Sequence, residues 1–505
     1  MSESSSQSQR KSLLGQLPQP TILTANPGAD EPCDVAIVGV SDGVALSPTA
    51  ALIDEKIGHA IERLRDAGKL SSDEGETMLL AGPSEDGPKL VLVIGLGKVK
   101  QDKDANRELA FRITSQALRS LVGKPHEKLF VALGECFDKS AYDAIVSGAL
   151  YALEGQAIYR SKVAINVPET ITFSALDDAA INRGTVVGQS INLTRRLVNE
   201  PASAIYPESF AEIIAEMSAG NQIECEIWDE KKLAEENCRS ILAVGGGSDK
   251  PPRLVILRYN GGAEGEAPVA LVGKGVTFDS GGLSLKPSDG MIDMKCDMGG
   301  AATVIGAMNA IAKLGVKRNV VAVCGLAENM VNGSSYKLGD VIKTRSGKTI
   351  EILNTDAEGR VVLADALNVA ISYKPSAMID LATLTGACMV ALGNEVAGLM
   401  TNDQSVADQV FAAAKVEGEL LWQLPMLPLY DEKVKSKVAD IKNIGEGRWG
   451  GAITAAKFLE NFVDKTPWVH LDIAGPAFSD SPKPFRDAGA TGVYVRTLLR
   501  WVESL

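Results

Sequence analysis

The segment Asn354-Thr355-Asp356-Ala357-Glu358-Gly359-Arg360 places two carboxylates and a guanidinium within a few residues. Upstream, a stretch otherwise rich in glycine and apolar side chains carries Lys274, Asp279, Lys286 and Asp297. Together these named residues supply four carboxylates, two lysines and an arginine. Carboxylates gather inside a protein only when cations neutralise them. Two divalent metals carry that opposite charge, so a carboxylate-bridged metal pair is the first reading and hydrolysis its chemistry. The three histidines, His59, His126 and His470, are far apart and form no His-Glu-x-x-His, which excludes a one-zinc protease of that type. Oxygen ligands, with a lysine nitrogen as an addition, suit Mg²⁺ and Mn²⁺, and Zn²⁺ also accepts carboxylates.

Asp356 and Glu358 stand two apart, and in extended chain both would point to one face. Gly359 permits close backbone packing beside them. Taken singly, each carboxylate reads as a surface charge or a helix cap. Lys286 alone reads as a solvated lysine in a Pro/Ser/Asp-containing loop, and Arg360 as the partner in a structural ion pair. As an ordered set inside two glycine-containing apolar segments, the carboxylates favour the metal reading.

Residues 272–282 read Val-Gly-Lys-Gly-Val-Thr-Phe-Asp-Ser-Gly-Gly; with the Asn354–Arg360 segment they resemble the leucine aminopeptidase family of two-metal exopeptidases. Asp-Leu-Ala-Thr-Leu-Thr-Gly at 380–386 and His-Leu-Asp-Ile-Ala-Gly at 470–475 extend the match. It is close from residue 195 onward and loose over the N-terminal third. The resemblance implies that Asp279 and Glu358 bridge two metals, that Lys274 and Asp297 complete one ligand set, and that Asp356 completes the other. A lysine can ligate only as the neutral amine, and two adjacent dications would lower its pKa far enough. By the same resemblance Lys286 faces the developing oxyanion, and Arg360 holds a bicarbonate that acts as general base. Met294, Thr383, Gly386 and Ala474, with Ala477 beside them, are implied to form the pocket for a Leu- or Met-sized first side chain. The expected activity is release of N-terminal residues from short peptides with a free amine, by a homohexamer. Some bacterial relatives also bind DNA, which is the alternative function. A catalytically dead relative is a third reading, opposed by the presence of all seven charged positions.

A chain of 505 residues is too long for one core, so two α/β domains are expected. Lys+Arg 51 against Asp+Glu 64 gives −13, which opposes general attraction to nucleic acid or anionic membrane. No apolar run reaches the roughly 18 residues of a membrane span, and the Ser/Gln-rich start is unlike a secretory signal; a cytoplasmic protein is expected. The seven cysteines are scattered without a Cys-x-x-Cys pair and read as small buried hydrophobes, Cys296 beside Asp297 included.

Residues 1–20 read as a disordered tail, 21–177 as an N-terminal α/β domain, 178–205 as a connecting helix and linker, and 206–505 as the catalytic domain. Strand-like runs begin at Val35, Leu90 and Leu129, with helical patterns over 49–67 and 106–122 between them. In the second domain strands are expected at 241–244, 254–257, 269–272, 319–324, 377–381 and 468–473, with helices over 299–314, 360–373 and 492–503. This alternation predicts a mixed, largely parallel sheet covered on both faces. Lys274 and Thr383 then follow strand ends, where ligands sit in such sheets. Gly95-Leu96-Gly97 and Gly347-Lys348-Thr349 hint at nucleotide turns, but each lacks a required glycine. Gly245-Gly246-Gly247 reads as a turn after a strand.

Overall fold

Val35–Val40 is buried at every position, and Val269–Asp279 is buried at all but Phe278. Strands apolar on both faces need cover on both, the condition met by parallel sheets with helical crossovers. The computed structural model describes residues 13–26, 32–82, 87–98 and 103–505. It divides into two compact units. Residues 1–12 of the expected tail lie outside the described residues, and Leu14–Gln16 form a 3-10 turn.

The first unit comprises residues 1–192 with 416–418 and 481–488. Its strands are β1 (Thr21–Ala25), β2 (Val35–Val40), β3 (Thr77–Ala81), β4 (Leu90–Gly95), β5 (Lys128–Ala132) and β6 (Thr170–Ser174), in the order β1-β6-β5-β2-β4-β3. All neighbours are parallel except β3 and β4. The helix expected over 49–67 is two helices, Pro48–Lys56 and Ala60–Asp66. Gly58 and His59 between them take left-handed φ of 66° and 58°, and the Asp54 carboxylate accepts the Ile61 and Glu62 N–H groups. A buried acid thus starts the second helix where the first has stopped. The chain leaves this unit within the helix Asp178–Asn199.

The second unit is built on β7 (Glu224–Trp228), β8 (Arg253–Asn260), β9 (Val269–Asp279) and β10 (Asn319–Asn329). Next come β11 (Val341–Lys343) and β12 (Thr349–Glu351), then β13 (Met378–Ala382), β14 (Ala397–Thr401), β15 (Leu421–Gln423), β16 (Ile441–Lys442) and β17 (Trp468–Asp472). Eight of these form one sheet in the order β15-β14-β17-β13-β9-β10-β8-β7, and β11, β12 and β16 form a small separate sheet. The centre β17-β13-β9-β10 is parallel, flanked by antiparallel β14 and β8. Helix Gly299–Lys313 packs so closely on one face that a Cβ at Gly273 would come within 2.5 Å of Ala301. Helix Glu358–Ile371 covers the other, where Gly325 meets Val362 and Ala366. The mixed, largely parallel α/β class read from the sequence is the one observed.

One expected strand is a helix. Residues 241–244 lie in Arg239–Gly245, because the Asp365 carboxylate accepts the Ser240 and Ile241 N–H groups at 2.8 and 3.3 Å and nucleates a turn there. Gly245 therefore ends a helix, and Gly246-Gly247 follow it. The other five expected strands fall on β8, β9, β10, β13 and β17.

Candidate metal centre

Strand β9 ends at Asp279, β10 at Asn329 and β13 at Ala382, so the parallel centre delivers three chain turns to one edge of the sheet. Lys274 lies inside β9 and points to the face covered by helix Glu358–Ile371. An added Cβ on Gly359 would come within 2.4 Å of Lys274 Cε. Glycine at 359 is therefore the condition for that lysine to fit.

Asp356 and Glu358 do not sit in extended chain as the spacing suggested. Asn354 Oδ1 accepts the Asp356 N–H at 2.8 Å, its carbonyl accepts that of Ala357 at 3.3 Å, and Glu358 is the first residue of the helix. The carboxylates converge because a tight turn runs straight into a helix start. Carboxylate oxygens of Asp279, Asp356 and Glu358 come within 4.8 Å of one another. Lys274 Nζ donates to Asp297 Oδ1 at 2.7 Å and to the Thr383 carbonyl at 2.8 Å, and lies 3.1 Å from Glu358 Oε1. Lys286 Nζ lies 2.8 Å from Asp279 Oδ2 and 2.5 Å from Asp356 Oδ1. The structure thus joins both lysines and all four carboxylates in one cluster.

Arg360 is buried in the same helix, and its Nη1 donates to the Asn443 carbonyl at 2.9 Å. It makes no ion pair among the described residues, so the structural-pair reading of this arginine does not hold, and its Nε is buried without a partner. Burial pulls the guanidinium down to about 10, only partly offset by Glu358 and Asp472. An unpaired guanidinium of this kind suits an anion.

The pocket residues are placed less tightly. Thr383 Oγ1 donates to Asp297 Oδ1 at 2.8 Å, which ties it to the acidic cluster. A Cβ on Gly299 would lie 3.5 Å from both Thr383 and Ala477. The Ala474 N–H and the Thr385 hydroxyl both bond Asp472, and Gly386 follows at the open start of helix Gly386–Leu392. Met294 begins the 3-10 helix that carries Asp297.

The electrostatics are those of a cluster short of cations. Burial first, then the neighbouring Asp279, pushes Glu358 and Asp297 well above the usual carboxylate range, against the pull of Lys274. Burial raises Asp356 too. On Lys274 burial acts to lower the pKa, but Asp297, Glu358 and Asp279 outweigh it and hold the ammonium charged. Asp297 Oδ2 and Glu358 Oε2 are buried with no hydrogen-bond partner among the described residues. Orphaned oxygens and carboxylates driven towards protonation are what divalent cations would relieve. The donor set fits a pair of them.

Three residues of this region carried no sequence signal. Asn443 receives the Leu353 N–H, donates to the Asn354 carbonyl and accepts Arg360. Tyr336 donates its hydroxyl to the Thr355 carbonyl at 2.8 Å. Asn329 joins β10 to Asp279 and Thr355. His470 is buried in β17, inside the strand expected over 468–473, with Nδ1 2.7 Å from Asp380.

Sequence comparison matches residues 192–499 to the catalytic domain of the cytosol aminopeptidase family, and residues 37–163 to its N-terminal domain. The chain belongs to the cytosol aminopeptidase family. It is accordingly a metallo-aminopeptidase by class, a hydrolase. A probable cytosol aminopeptidase of Rhodopirellula baltica is 59% identical over 92% of this chain and 91% of its own. One from Roseiflexus castenholzii is 42% identical over 92% and 98%. Among solved structures, the bottromycin maturation enzyme BotP in complex with Mn superposes with a TM-score of 0.82 at 35% identity, over 93% of this chain and 99% of that one. Among the described residues no helix is long and apolar enough to cross a membrane.

Proposed function

We propose that this member of the family removes leucine-like residues from the N-termini of short peptides. The observation that carries this is the buried acidic cluster with its two orphaned oxygens, Asp297 Oδ2 and Glu358 Oε2. Lys274, Asp279, Asp297, Asp356 and Glu358 would hold two divalent ions, Mn²⁺ or Zn²⁺, with Mg²⁺ also suited to the oxygens. Such a pair, when bound, would polarise the peptide carbonyl and lower the pKa of the attacking water. Lys274 would give up its proton once two dications share its carboxylates. Lys286 would release Asp279 and Asp356 and turn its ammonium to the developing oxyanion. Arg360 would hold bicarbonate, the general base of this proposal, through nitrogens it does not spend on the protein. Thr383, Ala474 and Gly386, with Met294, would receive the first side chain. By likeness to the family we add a cytoplasmic homohexamer, with a catalytic domain from 206 and a connecting segment over 178–205. DNA binding is the alternative. A net charge of −13 opposes it, and filter binding at varied salt tests it.

The deciding experiment is hydrolysis of leucine p-nitroanilide by chelator-stripped protein, with and without Mn²⁺ or Zn²⁺, beside an N-acetylated substrate. Cleavage of the free-amine substrate alone, restored by metal, is expected. Folded protein that cleaves nothing under either metal would defeat the proposal.

A further inference from the structure

Asn329 is fully buried at the end of β10. Its Nδ2 donates twice, to Asp279 Oδ1 at 2.8 Å and to the Thr355 carbonyl at 3.0 Å. One side chain therefore ties the end of β9 to the turn that carries Asp356 and leads into Glu358. The main chain adds to the tie, because the Asn329 carbonyl accepts the Ser280 N–H at 3.0 Å and its hydroxyl at 2.7 Å. Both partners of Nδ2 are acceptors. Turning the amide over would set its oxygen against the Asp279 carboxylate, so this orientation is the one chemistry allows. The register of β10 on β9 shifts between Ala327 and Glu328, which brings Asn329 opposite Asp279. Such irregularities re-aim a side chain.

Each end of this tie has other partners. The Thr355 carbonyl also receives the Tyr336 hydroxyl. Among the described residues Asp279 Oδ1 accepts from the Asn329 amide and the Gly281 N–H, and Oδ2 has Lys286 Nζ at 2.8 Å. Loss of Asn329 would cut the tie between carboxylate and turn and leave Asp279 to the Gly281 N–H and Lys286, while Tyr336 kept the turn in place.

We propose that Asn329 is a positioning residue that sets the Asp279 carboxylate against the Asp356–Glu358 turn at the spacing two divalent cations need. This rests on the metallo-aminopeptidase reading. Asn329 touches no substrate and acts through Asp279. Hydrogen-bond partners of ligating carboxylates are commonly worth about 10–100-fold in metal affinity.

The test is calorimetric titration of Mn²⁺ and of Zn²⁺ into the chelator-stripped full chain, with circular dichroism of each metal-free protein. Asn329→Ala is expected to fold and to bind metal about 10–100-fold more weakly. Tyr336→Phe, which never touches Asp279, should stay within about threefold of wild type. Asn329→Leu, close in shape but without donors, repeats the measurement should alanine fail to fold. Unchanged affinity in the Asn329 variants, or an equal loss in Tyr336→Phe, would overturn the positioning role. So would misfolding of both Asn329 variants, since the residue would then serve the fold. Wild-type protein that binds neither metal would instead sink the metallo-aminopeptidase reading, and this inference with it.

Discussion

Lys286 offers one ammonium to two carboxylates, Asp279 and Asp356, and so occupies the oxygens that metal ions would take. A lysine that competes with metal should not be needed to bind it. Lys286→Ala is expected to keep full metal stoichiometry yet lose about 10²–10³-fold in kcat, the usual worth of an oxyanion contact. Metal analysis beside steady-state kinetics checks both halves, and wild-type kcat would remove the oxyanion role. Arg360 makes the opposite case, a buried cation with a single side-chain bond among the described residues, to the Asn443 carbonyl. Arg360→Ala should lower activity more modestly and abolish any dependence on added bicarbonate. Activity assayed across bicarbonate concentrations would show whether that dependence exists to be lost.

The strand ends decide where chemistry can sit, and their starts decide how firmly the sheets are registered. Asp34 precedes β2. Its carboxylate takes Lys89 Nζ at 2.6 Å and the Glu127 and Lys128 N–H groups at 2.7 and 3.0 Å, fastening β2 to the starts of β4 and β5. The Lys89 bond, with those two N–H groups, outweighs burial and pulls Asp34 from 3.8 to about 2. A folded-state value below the unfolded one stabilises above the unfolded pKa and ceases to do so as pH falls through the folded one. Thermal melts should show Asp34→Asn less stable than wild type above about pH 4, with the gap closing towards pH 2. A gap that stayed constant with pH would exclude ionisation as its source. At this scale the long apolar strands were legible, since β9 and β10 need only their own composition to be recognised. Glu224–Trp228 was not, because an edge strand with glutamates at 224 and 226 shows no buried run. Residues 241–244 misled because Ile, Leu and Val suit either structure, and the arbiter, Asp365, lies more than a hundred residues away. The site divides similarly. Its charged residues stand out in motifs, whereas Asn329 and Asn443 gain their meaning only from the turns that meet them.

Within the first unit Arg107 is bonded to Asp143 and to Glu417, 310 residues further along the chain. All three are buried. Arg107→Ala would take a shared cation from two buried carboxylates, of which Asp143 keeps Arg183 at 3.0 Å, and breaking a buried pair costs about 3–5 kcal/mol. Urea unfolding should register that loss, and a change under about 0.5 kcal/mol, the scale of an ordinary surface substitution, would mean the cluster is incidental. Nothing in the local sequence announces that residues 416–418 and 481–488 return to this unit. The return also sets an order of events in the cell. Ser115 hydrogen-bonds the Phe485 carbonyl, 370 residues further along the chain, so the first unit is finished by a segment translated well after the rest of it. At roughly 5–20 residues per second of synthesis, the nascent first unit waits on the order of tens of seconds for its closing piece. Through that interval the six-stranded sheet has all its strands, while helix Lys103–Leu121 lacks the Glu417 and Phe485 partners of its Arg107 and Ser115.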